Sequence, residues 1–495
     1  MSDVDSAQKV YKTYLMVDNF IEILMENEKS GANEYTFGLK SKKDYEQLLK
    51  PVAKIYLENE KDIKKSFEAI IEQSEICDLL KQFIIDNKMA PGAVIAFGTK
   101  KHQEILYLGN QQEVADNGDD EIIPMAEDSI FDLSSVTKIF TCLMVLKLVE
   151  MQKIKLSDKI YNLDNRFINL REVSVEDLLT FKVPLKTKQR LETLNDLKEI
   201  EKEIFEIMPG EPEVRLYSDM GAMVLKYVVE NIMNDNFYRL VQIYILQPCQ
   251  MNSTCINIPE DAAKRIVSNN FERRIINGSY VTLDKIFKGV VSDGKTRAIN
   301  SFGVQLTGHA GLFSTAGDMA KLAMALMEEK VLSIESLKKI GINRTGKMIG
   351  ENDVTQFHGY LCYSKNPIEM NSEVNHFLSG NAFALGGYTG NQLTIDIENG
   401  VYVFFASNRC HNRVTNITGA AEKDYVRDGY AKWNNGKNYK YNKRYAYDRD
   451  DYVMKPAVEL VLKYRCLEYI LGESTMKTEK ECIEAGSRGG SSCDQ

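Results

Sequence analysis

The stretch Phe131-Asp132-Leu133-Ser134-Ser135-Val136-Thr137-Lys138 joins a short strand-like run, Ile130 to Leu133, to Ile139-Phe140-Thr141-Cys142-Leu143-Met144-Val145-Leu146-Lys147-Leu148-Val149. The second segment is apolar on nearly every face, and such a helix sits at the centre of a lobe. Ser135 and Lys138 fall one helical turn apart on one face. An uncharged lysine in that position takes the proton of the serine hydroxyl and makes it a nucleophile. The helix N-terminus adds its dipole and backbone N–H groups, which favour a developing oxyanion. The bare Ser-x-x-Lys pattern recurs at Ser6/Lys9, Ser292/Lys295, Ser336/Lys339 and Ser474/Lys477, so context singles out the first pair. The plain alternative is that Ser134 or Ser135 only caps the helix.

Outward from this stretch the pattern alternates between strands and helices. Ile76, Leu79, Leu80, Phe83 and Ile84 mark an amphipathic helix that Met89-Ala90-Pro91-Gly92 stops. Ala93–Phe97 and Ile105–Leu108 read as a hairpin, and Gln392–Ile397 and Val401–Ser407 as a second one across Glu398-Asn399-Gly400. Helical patterns dominate between the hairpins. The expected fold is α/β: an antiparallel sheet built from distant segments and flanked by helices, with an all-helical lobe inserted. Residues 1–74 carry helical stripes (Tyr11, Tyr14, Leu15, Phe20, Leu24) and read as an N-terminal extension, 75–472 as the main domain and 473–495 as a flexible tail.

Two more segments carry chemistry. Tyr217-Ser218-Asp219 follows Pro209-Gly210 and precedes the apolar helix Met220–Val229. Beside an upstream Ser-x-x-Lys, Tyr217 becomes a proton carrier and Asp219 a polar partner for substrate. Leu385-Gly386-Gly387-Tyr388-Thr389-Gly390 opens the second hairpin, where glycines on an edge strand admit another backbone, such as a substrate peptide adding as a strand. Residues 433–450 interleave Tyr with Lys and Arg, a composition that can stack single-stranded bases but in an acidic chain reads as a solvated loop.

Taken in order, these segments resemble the serine beta-lactamase and penicillin-binding-protein superfamily, on its class C beta-lactamase, D-aminopeptidase and esterase side. The resemblance runs from about Asp78 to Asn412 and is strongest at Gly308-His309-Ala310-Gly311-Leu312-Phe313-Ser314-Thr315-Ala316-Gly317-Asp318-Met319. Val175–Thr180, Gln247–Thr254 and Asn408-Arg409-Cys410-His411 add to it. It implies an α/β lobe, a helical lobe and a cleft between them. It further implies Ser135 as the acylated nucleophile, Lys138 and Tyr217 sharing general-base and general-acid work, and an oxyanion hole made by the N–H groups of Ser135 and Tyr388. Leu385, Gly386 and Gly387 are then the substrate-side strand.

Three departures stand out. Leu385 occupies a position at which the family usually has Lys or His, as in the apolar-Gly-Gly version of some of its esterases. Thr180-Phe181-Lys182-Val183-Pro184-Leu185 replaces a Thr-His-Thr-Ser-Gly-Leu type of loop, and Ser292-Asp293 replaces His-Asp. A third-motif cation favours a substrate carboxylate and lowers the pKa of Lys138 and Tyr217. Its loss implies a serine hydrolase for esters, amides or peptides that turns penicillins over poorly. The competing reading is a beta-lactamase scaffold that has lost catalysis and binds peptides or a protein partner, with the N-terminal helices as a candidate docking element.

Composition bounds the rest. The chain has 495 residues, is 44% hydrophobic and 27% charged, and carries a net charge of −9. These are globular values, and the acidic balance argues against a nucleic-acid partner. Nine cysteines without C-x-x-C spacing and five scattered histidines suggest neither a disulfide framework nor a metal motif, and the chemistry implied needs no cofactor. The start lacks signal-peptide features and no apolar run has membrane-spanning length, so the expectation is a cytoplasmic protein with a small-molecule or peptide substrate and no membrane partner.

Overall fold

The computed structural model describes residues 76–465 apart from 116–118, 211–216, 271–272, 278, 283–285, 351–353, 369–371, 420–424 and 433–435, together with Val52, Lys54, Ile55, Glu58, Asn59, Lys65, Ala69 and Glu468. Contacts divide the chain into two compact units, Ile76–Val458 and one formed by Met1–Glu75 with Glu459–Gln495. The N-terminal helical stripes and the C-terminal tail expected from the sequence lie outside the described residues. The fold and the candidate site both belong to Ile76–Val458.

The strands that matter are β1 (Gly92–Thr99), β2 (Gln103–Val114), β3 (Asp120–Pro124), β4 (Phe131–Asp132), β5 (Phe313–Ser314), β6 (Tyr363–Ser364), β7 (Phe383–Gly386), β8 (Gln392–Asp396) and β9 (Val401–Ser407). Seven of them form one antiparallel sheet in the order β6-β7-β8-β9-β1-β2-β3. Both hairpins expected from the sequence are present, and β1 pairs with β9 in the register Ala93↔Ser407 to Thr99↔Val401. The central strands β1, β8 and β9 are buried along their whole length. The near-continuous apolar runs of β1 and β9 are those of strands covered on both faces, whereas β8 alternates polar and apolar residues. The chain is therefore an α/β protein with a mainly antiparallel sheet.

Three helices position the site: α1 (Thr137–Glu150), α2 (Met220–Met233) and α3 (Ala316–Met327). Every residue of α1 from Thr137 to Leu146 is buried, as its all-round apolar sequence requires. The small residues Ala316, Ala320 and Ala323 of α3 are fully buried, and this helix packs on β1 and β9. The inserted region is mainly helical but also carries short pairings, Leu185–Lys186 with Met208–Pro209 and Arg273–Ile276 with Ser279–Thr282.

One expectation is corrected. The described part of the Tyr/Lys/Arg-rich segment, residues 436–450, is not a solvated loop, because Tyr441, Tyr445 and Arg449 are buried. The Tyr445 hydroxyl donates to Gly390 O and shares a 2.7 Å hydrogen bond with Ser407 Oγ. Arg449 donates to Asn391 O and to Asp450. Aromatic bodies and a paired guanidinium brace the turn after β7 from behind.

Candidate active site

Ser135 lies in a single 3-10 turn, Ser134–Val136, that leads directly into α1. The turn is fixed by Asp132 at the end of β4. The Asp132 carboxylate accepts from the Ser134 N–H (2.9 Å) and the Ser292 N–H (2.7 Å), and its carbonyl accepts from Thr389 Oγ1 and Asn391 Nδ2, both at 2.7 Å. One buried residue thereby ties together the serine turn, the Ser292 loop and the turn after β7. Burial pushes its carboxyl pKa up, against the pull of the Ser292 and Ser134 donors. Ser134 has φ +49°, a left-handed conformation uncommon outside glycine.

β4 pairs with β5, Phe131 opposite Ser314 and Asp132 opposite Phe313, and Leu133 N–H donates to Leu312 O. This pairing brings the Gly308–Phe313 stretch against α1. Gly308 has φ +84°, and a Cβ there would lie 2.7 Å from Ala222 O and 2.8 Å from Lys226 Cβ on α2. Only glycine permits that approach.

Lys138 is fully buried and its Nζ donates to Ser135 Oγ at 2.9 Å and to His309 O at 3.3 Å. It also pairs with Asp219 Oδ1 at 2.8 Å. The same ammonium lies 4.9 Å from the centre of the Tyr217 ring. Phe181 (5.1 Å between ring centres) and Tyr363 (6.1 Å, stacked) flank Tyr217. The altered loop thus supplies one side of an aromatic wall for the phenol, through Phe181, and β6 the other, through Tyr363.

Beyond Asp219 a chain of opposite charges continues. Lys295 Nζ sits 3.0 Å from Asp219 Oδ2 and 3.0 Å from Asp293 Oδ2, and His309 Nε2 donates to Asp293 Oδ1 at 2.8 Å. Burial raises the Asp219 carboxyl pKa, but Lys138, His309 and Lys295 together hold it well below the carboxylate range. Burial likewise opposes ionised Asp293, and His309, Lys295 and the Thr296 N–H overcome it. For Lys138, burial favours the neutral amine, yet Asp219 and Tyr217 hold its pKa above the ordinary value. The uncharged amine expected from sequence is therefore not the resting form: a carboxylate at 2.8 Å outweighs desolvation.

The cleft measures about 820 Å³ and is lined by Ser134, Ser135, Asp219, Asp293, His309 and Tyr388, among others. The structure brings Ser135, Lys138, Tyr217 and Asp219 together, and Tyr388 reaches the same opening, half-exposed. Tyr388 N–H donates to Ser134 Oγ at 3.2 Å. Gly387 packs behind the serine turn, and a Cβ there would lie 2.7 Å from Leu133 O. Leu385, expected among the substrate contacts, is instead wholly buried in the main apolar core, because strand alternation turns it away from Gly386. The position of a Gly386 side chain is faced by the Arg449 guanidinium at 3.8 Å.

Sequence reasoning missed Asp132, Ser134, Lys295 and the convergence of His309 with Asp219 and Asp293. Ligand-type atoms of the last three all lie within 4.8 Å of one another. That donor set suits a divalent cation, but the Lys295 ammonium bridges its two carboxylates. The scatter of histidines along the chain hid this cluster, although Gly308-His309-Ala310-Gly311 and Ser292-Asp293 each stood out singly.

Comparison with known proteins agrees with this fold. The sequence profile of the family described as Beta-lactamase matches residues 82–425. Curated relatives named "Putative D-alanyl-D-alanine carboxypeptidase" include one from Escherichia coli (strain K12), 25% identical over 230 residues, 44% of this chain and 50% of the relative. Another, from Salmonella schwarzengrund (strain CVM19633), is 26% identical over 240 residues with the same shares. The chain spans about half the length of the curated relatives it matches. A class C beta lactamase from Rhodobacter sphaeroides has a similar fold (TM-score 0.51, 16% identity, 68% of this chain and 95% of that one). So does the octameric penicillin-binding protein homologue from Pyrococcus abyssi (TM-score 0.50, 18% identity, 68% and 73%). Among the described residues no helix is long and apolar enough to cross a membrane.

Proposed function

Because the chain belongs to the beta-lactamase family, we propose that it is a serine hydrolase that opens an ester, amide or peptide bond through an acyl-enzyme on Ser135. The observation that carries this reading is the 2.9 Å hydrogen bond between Lys138 Nζ and Ser135 Oγ at the floor of an open cleft. Ser135 Oγ adds to the carbonyl carbon, and its proton passes to the Lys138/Tyr217 pair once that pair has lost one proton. The carbonyl oxygen becomes an oxyanion held by the Ser135 and Tyr388 N–H groups. The bond to the leaving group breaks, and the pair returns the proton to the departing oxygen or nitrogen. Water then attacks the acyl carbon, and Ser135 leaves with its proton restored.

β7 turns Leu385 into the core rather than setting a cation at the cleft, and the cleft floor is built from alternating lysines and carboxylates that neutralise one another. A substrate without an essential carboxylate fits such a floor best. The reading therefore favours the esterase and aminopeptidase side of the family over efficient penicillin hydrolysis. The test is incubation with a fluorophosphonate followed by mass spectrometry. An adduct on Ser135 that is absent in Ser135→Ala and much slower to form in Lys138→Ala supports it, and short-chain ester turnover should exceed penicillin turnover.

A second reading is favoured by two particular contacts. Asp219 holds Lys138 charged, and Ser134 Oγ occupies the Tyr388 N–H. A scaffold that binds without reacting would keep both. It predicts no Ser135 adduct at any pH across the neutral and alkaline range.

A further inference from the structure

Asp219 is shared. One of its oxygens faces Lys138 at 2.8 Å and the other faces Lys295 at 3.0 Å. Lys295 is held from its far side by Asp293, also at 3.0 Å, and Asp293 is in turn fixed by the Thr296 N–H, Thr296 Oγ1 and His309. We infer that Lys295 is a positioning residue for the proton transfer: its ammonium, standing across the Asp219 carboxylate from Lys138, offsets the charge that otherwise locks Lys138 in its protonated form. The inference rests on the acyl-transfer reading of Ser135 and Lys138.

The physical argument is Coulombic. Ser135 can give up its proton only when the Lys138/Tyr217 pair has lost one, whichever of the two atoms carries the vacancy, so the pH profile reports the pair as a unit. The charged and titratable groups facing the pair come from three places: Asp219 before α2, Asp293 and Lys295 around residues 293–295, and His309 in the glycine-rich loop. Asp219 and Asp293 oppose loss of the proton. Lys295 is the cation placed between these two carboxylates, so removing it leaves both carboxylates acting on Lys138. Leu385 adds no charge of its own from β7. The cation that favours release of the proton therefore comes from the segment before the glycine-rich loop.

The experiment is the pH dependence, from about 6 to about 11, of two rates: fluorophosphonate modification of Ser135 and hydrolysis of a short-chain nitrophenyl ester, with the limb's displacement along the pH axis read where its midpoint lies beyond the window. Lys295→Met should move the midpoint of the rising limb up by about one to two pH units. At a fixed pH well below the midpoint, a limb displaced upward by about one pH unit gives a rate about tenfold lower. Lys295→Arg, which keeps the charge, should return the midpoint close to wild type. Asp293→Asn, which removes a negative charge and leaves Lys295, should move it down, and this second variant serves if Lys295→Met fails to fold by circular dichroism. Midpoints that stay at the wild-type pH in folded variants overturn the inference and leave the hydrolase reading standing. Wild-type protein that forms no Ser135 adduct at any pH overturns both.

Discussion

Ser134 Oγ accepts a 3.2 Å hydrogen bond from the backbone N–H of Tyr388, the donor assigned to the oxyanion in the proposed reaction. In the proposed reaction the residue next to the nucleophile therefore fills the oxyanion hole of the resting protein, and substrate has to displace it. Ser134→Gly removes the hydroxyl and suits the φ of +49° at that position. The expected result is a rise in kcat/KM for a short-chain ester of about 2- to 10-fold, the worth of one net hydrogen bond. Thermal stability should hold or improve. Steady-state kinetics and a melting curve check both.

Asp219 sets the resting charge of Lys138. Asp219→Asn removes the carboxylate and leaves the lysine in a buried site beside the Lys295 cation. The proton then leaves more readily, so the rising limb of the pH–rate profile should move to lower pH by about one to two units. The direction is opposite to that of Lys295→Met. A limb that moves up in Asp219→Asn contradicts the charge assignment of the site.

Gly387 has no room for a side chain. A Cβ there would stand 2.7 Å from Leu133 O, immediately before the serine turn. Gly387→Ala should cost about 1–3 kcal/mol of stability, as overpacking does, and slow Ser135 labelling in the protein that still folds. Chemical denaturation and labelling rates measure the two effects separately.

Glu113 supplies a test of acid stability away from the cleft. It pairs with Arg413 at 2.8 Å and with Lys440 at 2.9 Å. Burial raises its carboxyl pKa, but these partners bring it down to about 2. The folded pKa lies below the unfolded one, so the pair's contribution is complete above about pH 4.5 and is lost as pH falls from there toward 2. It amounts to about 3 kcal/mol. Denaturation of Glu113→Gln across this window should give a flatter pH dependence than wild type and lower stability at neutral pH.

What the sequence made legible was local. Ser135 and Lys138 were readable because a helix repeats within four residues, and the hairpins because strands alternate and Asn399-Gly400 turns them. Tyr217 gained meaning only beside that pair. Lys295 surfaced merely as the end of another bare Ser-x-x-Lys match, since nothing near residue 295 reveals that Asp219 lies across from it. Leu385 looked like a cleft residue because its position along the motif was legible and its side of the strand was not. The brace formed by Tyr445 and Arg449 was misjudged for the same reason: composition gives polarity, while burial depends on a turn that ends 55 residues earlier, at Gly390.

The place of β1 in the sheet has a cost for biogenesis. Gly92 N–H donates to Asn408 Oδ1, 316 residues further along the chain, and β1 lies between β2 and β9. A ribosome working at about 5–20 residues per second emits the first hairpin roughly 15–60 s before its other neighbour exists. During that interval Val94-Ile95-Ala96-Phe97 presents an apolar strand with one side unmatched. Shielding by a chaperone or by transient pairing would protect that edge, and yield in a heterologous host should respond to translation speed and holdase supply.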